Sequence, residues 1–288
     1  MSPKRTGPAR PEMRVAIVGA GVMAEAMIAG LLADRAVAPD HLVASHPRRD
    51  RREVLVERHA IAVVAKNAEA VRGADIVVLA VKPQMLARVM RDVSPALADG
   101  QVVLSIVAGA TLRTLTSGLA HQAVVRAMPN TPSQIRRGIA VWTASSACTS
   151  AQRELARQVL RAIGHEKEVA DEAFVAMATA LSGTGPTYLF AVMEALVDAG
   201  VHMGFPRELA HDLVVETLIG SAEYAAASEL HPAQLRNLVT SPGGTSAAAI
   251  YELEKGRLRT VLSDAVWAAY RRTLELAEAL ERETGPGG

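Results

Sequence analysis

The sequence predicts an α/β fold in two parts. A parallel β-sheet covered by helices on both faces occupies residues 13–170, and an all-α region occupies 171–288. Three observations predict it. Short, nearly unbroken apolar runs alternate with helix-like segments in the first part, the pattern of a sheet buried on both faces. No strand-like run follows residue 171. The first apolar run leads directly into a glycine turn that opens a helix.

The elements follow in order. VAIVG (15–19) is a buried strand, followed by a helix to about Ala33. HLVAS (41–45), DIVVLAV (75–81), QVVLSIV (101–107), AVVRAMP (123–129) and GIAVWTA (138–144) are further strands. Pro83 suits the first turn of the helix after the third. TLRTL, after the fourth, starts a short helix. In the second part, 188–203 is apolar nearly all round, so it belongs in a core or a subunit interface. Long helices are expected over 207–228 and 258–283, with the boundary between the parts near 169–172.

The 288 residues suffice for two domains. Half are hydrophobic but only 3% are aromatic, so Ala, Val and Leu must fill the core. A net charge of +1 does not point to nucleic acid or an anionic membrane. Cys148 is the only cysteine, which excludes an intrachain disulfide. Residues 1–12 are Pro-, Gly- and Arg-rich, read as a disordered tail, and lack a signal peptide's apolar core. With no uninterrupted apolar span, the expected location is cytoplasmic.

GAGVMA (19–24) sits between a strand and a helix, as a dinucleotide fingerprint of the GxGxxA form requires. Gly19 makes the tight turn, Gly21 admits a pyrophosphate, and Ala24 allows close helix–strand packing. An NAD site would place an acid near the end of the second strand; ASHPRRDRR (44–52) stands there instead. Ser45, Arg48 and Arg49 offer the donors and charge that a 2′-phosphate needs, which favours NADPH, with NADH as the alternative. The competing reading is a solvated basic face, which suits Arg51 and Arg52 better. AVKP (80–83) and VAG (107–109) stand where strand ends line such a crevice. Asn67 could cap a short helix or touch the adenine, and Lys82 could meet a phosphate or simply be exposed.

A second glycine turn, TSPGGTS (240–246), lies between two helical flanks, HPAQLRNLV and AAAIYELEKG. Gly243 and Gly244 let the backbone approach a ligand. Free N–H groups at the next helix start favour an anion, and Thr245 and Ser246 add hydroxyls. The alternative is an ordinary helix cap. HExxH, CxxC and clustered carboxylates are absent, so no metal site is expected, and the eight histidines are scattered. Hydride transfer to a protonated C=N needs little beyond positioning, whereas a ketone or alcohol calls for a proton relay.

With AIVGAGVMA (16–24), AVKPQ (80–84), MPNTP (128–132), LSGTGPTY (181–188), HPAQL (231–235) and SPGGTS (241–246) in order, residues 13–280 closely resemble the pyrroline-5-carboxylate reductases. The resemblance implies NAD(P)H-dependent reduction of 1-pyrroline-5-carboxylate to L-proline. It also implies an N-terminal Rossmann domain and a helical C-terminal domain whose helices intertwine into homodimers, in some members assembled into decamers. It assigns the substrate carboxylate to Ser241, Gly243, Gly244, Thr245 and Ser246. The last hydroxyl pairs with, or protonates, the ring nitrogen, leaving the donor open among Thr245, Ser246 and a substrate that arrives protonated. Cofactor contacts carry over to Gly19, Gly21, Val22, Met23, Ser45, Asn67, Ala80, Val81, Lys82 and Ala108, with Met128, Pro129 and Asn130 on the nicotinamide side. Ser246 departs from the family's usual Thr, and Thr184 and Thr187 depart from Ser and Ala. The related hydroxyacid dehydrogenases carry a lysine and an asparagine where Leu189 and Met193 stand here, which argues against them. Another imine reductase and a non-catalytic NADPH-binding paralogue are the remaining alternatives.

Overall fold

The computed structural model describes residues 13–284, so the predicted N-terminal tail lies outside the described residues. Eight strands form one sheet in the order β3-β2-β1-β4-β5-β6-β7-β8. The six expected strands are β1 (Val15–Val18), β2 (Leu42–Ser45), β4 (Ile76–Leu79), β5 (Val102–Ser105), β6 (Val124–Met128) and β7 (Gly138–Ala144). Two more were not expected: β3 (Ala62–Val64) and β8 (Gly164–Glu168).

β1 to β6 run parallel, and β6 pairs antiparallel with β7. The reversal follows from the connection. Only a short 3-10 segment, Thr131–Ile135, joins β6 to β7, and a parallel return needs a crossover of about a dozen residues or more. The helix α6 (Ser150–Arg161) supplies such a crossover between β7 and β8, which are parallel.

Alternation along each strand makes two cores. Ile17, Ile76, Val78, Leu104, Val125 and Trp142 pack on one face with α1 (Val22–Ala33) and α6. Val18, Val77, Leu79, Val103 and Val124 pack on the other. That second face is covered by α4 (Leu86–Val93) and α5 (Leu112–Leu119), and Leu280 joins the same cluster. The remaining sheet-side helices are α2 (Arg49–His59) and α3 (Asn67–Val71).

The helical region continues through α7 (Ala173–Ala178), a π-turn at Thr179–Gly183, α8 (Gly185–His202), α9 (Arg207–Ala227), α10 (Pro232–Leu238), α11 (Thr245–Lys255) and α12 (Leu258–Thr284). By contact, the chain divides at other points than the sequence boundary. Residues 13–184 and 269–284 form one unit, and Gly185–Ala268 the other. α7 packs on β6 and β7, and Leu280 fills the second core, which is why both segments belong with the sheet. No helix among the described residues is long and apolar enough to cross a membrane.

Candidate functional site

Strand order reverses between β1 and β4, so a crevice opens beyond their carboxyl ends. The Gly19 N–H donates to Ser45 O (3.2 Å) and the Ala80 N–H to Val18 O (2.8 Å), tying the ends of β1, β2 and β4 together. Gly19 has φ +89°, and a Cβ there would stand 2.4 Å from Val81 Cγ1 and 2.9 Å from Ala80 O. Only glycine fits. Gly21 is the extended N-cap residue of α1, no side chain caps that helix, and the space where its Cβ would point is open. The first N–H groups of α1 therefore face room for an anion.

A cleft of about 590 Å³ lies here, and it brings together seven of the predicted residues: Gly19, Gly21, Ser45, Asn67, Ala80, Val81 and Lys82. Val22 and Met23 begin α1 beside it without lining it, and Val22 is exposed. The open cradle at Gly21, the Ser45 hydroxyl at the end of β2 and the Asn67 amide at the start of α3 fit a dinucleotide. Sequence reasoning missed Met85, Arg88, Val89 and Asp92, which line the cleft from α4 and the turn before it. Their i, i+3, i+4, i+7 spacing after Pro83 is the helical signal that could have found them.

At the β2 end the polar groups form a chain. Ser45 Oγ donates to Asn67 Oδ1 (2.9 Å), and Asn67 Nδ2 donates to Asp92 Oδ2 (3.3 Å). His46 also lines the cleft, and its Nδ1 accepts from the Arg48 N–H (3.2 Å). Burial, with the nearby Arg51 and Arg48 charges, holds His46 below the usual histidine range, so the ring is neutral near pH 7.

The arginines of 48–52 divide into an exposed, ion-paired couple and a couple held by backbone carbonyls. Arg48 is tied to Asp50 and Arg49 to Glu53 (2.8 Å), both are largely exposed, and neither lines the cleft. Arg51, read as a solvated residue, donates to Ala20 O (3.0 Å) inside the glycine turn and to Glu25 (2.5 Å). Arg52 holds His46 O and Pro47 O at 3.0 and 2.8 Å. These two carbonyl-binding arginines brace the loop. The signal for them is spatial, since α2 must pack back on the turn that starts α1.

Ala108 lies in the loop after β5, and Met128 and Asn130 lie at the end of β6; none lines the cleft. Met128 Cε stands 3.0 Å from where a Cβ on Gly183 would be, so the MPNTP and LSGTG segments meet. Asn130 Oδ1 accepts from the Ile139 N–H (2.9 Å), pinning the start of β7. Buried Arg126 donates to Glu172 (2.6 Å), whose same oxygen accepts from the Leu112 N–H (2.7 Å).

In the helical unit, α10 ends at Leu238 and α11 begins at Thr245. Between them Ser241–Gly244 is a tight turn, with the Gly244 N–H donating to Ser241 O (3.1 Å). Pro242 precedes Gly243 at φ +71°, the arrangement of a type II turn. A Cβ on Gly244 would stand 2.4 Å from Ser241 Oγ. No side chain caps α11, and among the described residues nothing accepts from the N–H of Thr245 or Ser246. The turn is thus uncapped, and it leaves those donors without an acceptor among the described residues, which weighs against the ordinary helix-cap reading.

A dinucleotide crevice at a topological switch point, followed by a helical region with an uncapped glycine turn, defines a two-part oxidoreductase of the Rossmann type. Residues 172–276 match the family described as pyrroline-5-carboxylate reductase dimerisation, and 14–109 match NADP oxidoreductase coenzyme F420-dependent. The chain is 42% identical to the pyrroline-5-carboxylate reductase of Pseudomonas aeruginosa, covering 93% of this chain and 98% of that one. The structure of a pyrroline-5-carboxylate reductase from Coxiella burnetii matches with TM-score 0.85 and 34% identity over 92% of this chain and 98% of that one. The Plasmodium falciparum pyrroline carboxylate reductase with NADP bound matches with TM-score 0.85 and 28% identity, covering 93% and 99%. The chain belongs to the pyrroline-5-carboxylate reductase family.

Proposed function

We propose that this chain reduces 1-pyrroline-5-carboxylate to L-proline with NADPH, the last step of proline synthesis. The observation that carries the reading is the pairing of a dinucleotide cleft with a separate, uncapped glycine turn at Ser241–Ser246. NADPH, when bound, supplies the hydride that reduces the C=N bond. Gly19 and Gly21 admit its pyrophosphate against the start of α1, and Ser45 and Asn67 take the adenosine end. Ala80, Val81 and Lys82 line the crevice between them, with Val22 and Met23 at its edge. Ala108, Met128 and Asn130 are assigned to the nicotinamide side.

In the helical unit, the N–H groups beyond Gly243 and Gly244 hold the substrate carboxylate, together with Ser241 and Thr245. The Ser246 hydroxyl, one residue into α11, is the group we assign to the ring nitrogen, where it orients the imine or delivers its proton. A serine keeps the hydroxyl of the family's usual threonine but rotates more freely. Leu189, at the position of the hydroxyacid dehydrogenase lysine, offers no proton relay, which supports an imine over a ketone.

The same proposal makes the protein a homodimer through its helical region, with a decamer as the larger assembly, and places it in the cytoplasm. The test is direct. Full-length protein, NADPH and 1-pyrroline-5-carboxylate are mixed and the reduced-nicotinamide absorbance is followed. The band falls as proline accumulates; a band that holds steady overturns the reading.

A further inference from the structure

Building on the cofactor reading above, we infer that the choice between NADPH and NADH is set on α4, with Arg88 attracting the 2′-phosphate and Asp92 opposing it. Arg48 and Arg49 do not carry that choice. Their charges are already matched by Asp50 and Glu53, and both side chains lie outside the cleft lining.

The place of a ribose 2′-substituent is marked by the end of β2, at Ser45. From there two hydrogen bonds lead to α4: Ser45 Oγ to Asn67 Oδ1, and Asn67 Nδ2 to Asp92 Oδ2. Asn67 uses its oxygen and one N–H in that chain, which fixes the orientation of its amide. Arg88 lies one turn before Asp92 on the same face of α4, and both line the cleft. The pair is spaced i, i+4, a spacing that favours a salt bridge, yet the carboxylate hydrogen-bonds Asn67 and Arg88 makes no ion pair among the described residues. An always-charged guanidinium is therefore free to fork onto a phosphate. The Asp92 carboxylate in the same cleft wall raises the cost of bringing a dianion in, and a neutral 2′-hydroxyl feels no such penalty. Lys66 and Lys82 also line the cleft and add positive charge, but Lys82 follows β4 rather than the β2 end.

The test is calorimetry on the full chain with adenosine 2′,5′-bisphosphate and 5′-AMP, which differ only in the 2′-phosphate. Arg88→Ala weakens the bisphosphate about tenfold and leaves AMP within about twofold. Asp92→Asn tightens the bisphosphate about threefold or more, with AMP again little changed. The double variant Arg48→Ala, Arg49→Ala leaves both within about twofold. Circular dichroism confirms that each variant folds. An unchanged ratio of the two affinities in Arg88→Ala, or a ratio lost in the Arg48–Arg49 variant, overturns the assignment and leaves the cofactor reading intact. Equal loss of both ligands in Asp92→Asn overturns the role of its charge. Wild-type protein that binds both ligands equally overturns the NADPH reading and this inference with it.

Discussion

Along β4 of the sheet unit, Ile76 to Leu79 are wholly buried, two side chains to each face. Across Gly185–Ala268, only Pro186, Val197 and Ala210 are buried. Leu189, Phe190, Leu213, Tyr251, Val261 and Trp267 are each at least 48% exposed there. One region closes on its own core. The other leaves large apolar side chains exposed along its helices, the kind of surface that a partner covers. The glycine turns differ in parallel. The turn at Gly19 is locked between β4 and β2 by backbone atoms, while the turn at Gly243–Gly244 is braced only by Ser241 within its own loop. Function in the first region should thus fail with the fold, and in the second it should fail separately.

The largest effect tests the locked turn. Gly19→Val places a branched side chain where Val81 and Ala80 already are, at positive φ. Cofactor binding is lost outright and the unit loses about 3 kcal/mol or more. Chemical denaturation beside NADPH fluorescence titration checks both, and a variant that folds normally but merely binds less well would weaken the comparison.

The next test concerns the uncovered faces. Phe190 is 60% exposed on α8, within the segment matching the dimerisation family. In the proposed homodimer, Phe190→Glu raises the dissociation constant about 100-fold, a cost of about 3 kcal/mol for one interface aromatic. Light scattering across a dilution series reads it. An unmoved dimer would mean that this face is not the one covered.

How far the sequence made this contrast legible differs by region. Strands β1, β4 and β5 stood out because they are apolar runs, broken only by Ser105, and are buried on both faces. β8 reads GHEKE, with no apolar pattern at all. It exists because Gly138 and Gly164 allow backbone contact with β7 and because Arg153, Arg157 and Arg161 neutralise Glu166 and Glu168. Those are tertiary causes, invisible in a window of five residues. β3 is three residues long and only half-buried, too short to declare a period. The glycine turns were legible because strained or crowded backbone admits few residue types. The α4 wall was not, because Arg88 and Asp92 look like an ordinary charged helix face until α4 is laid along the cleft.

A smaller effect separates positioning from proton delivery in the second turn. Ser246→Ala lowers kcat about 100-fold at neutral pH if the hydroxyl gives up a proton, and about tenfold or less if it only orients the ring. We expect the smaller loss, with a KM for NADPH that stays put. A larger loss that grows with rising pH would reassign the proton to Ser246.

The smallest effect returns to the locked turn. Burial raises Glu25, but hydrogen bonds from Arg51 and Arg58 outweigh it and hold the carboxyl below its usual range. A depressed folded value contributes stability that is present above the ordinary carboxyl pKa and disappears as pH falls through the folded one. Glu25→Gln therefore costs about 1 kcal/mol near pH 7, and the cost shrinks as pH falls through the depressed carboxyl value, measured by paired urea melts. A cost that persists in acid would show that packing, not charge, joins Arg51 to the turn.

The most direct test of the central claim, that the Ser241–Ser246 turn holds the substrate carboxylate, is a comparison of kcat/KM for 1-pyrroline-5-carboxylate and for 1-pyrroline, which lacks the carboxylate, in wild type and in Gly244→Ala. The added methyl displaces Ser241 from the turn. Wild type prefers the carboxylate by about 100-fold or more, and Gly244→Ala removes most of that preference while NADPH binds as before. Equal losses on both substrates, or a preference that survives the substitution, would contradict the account.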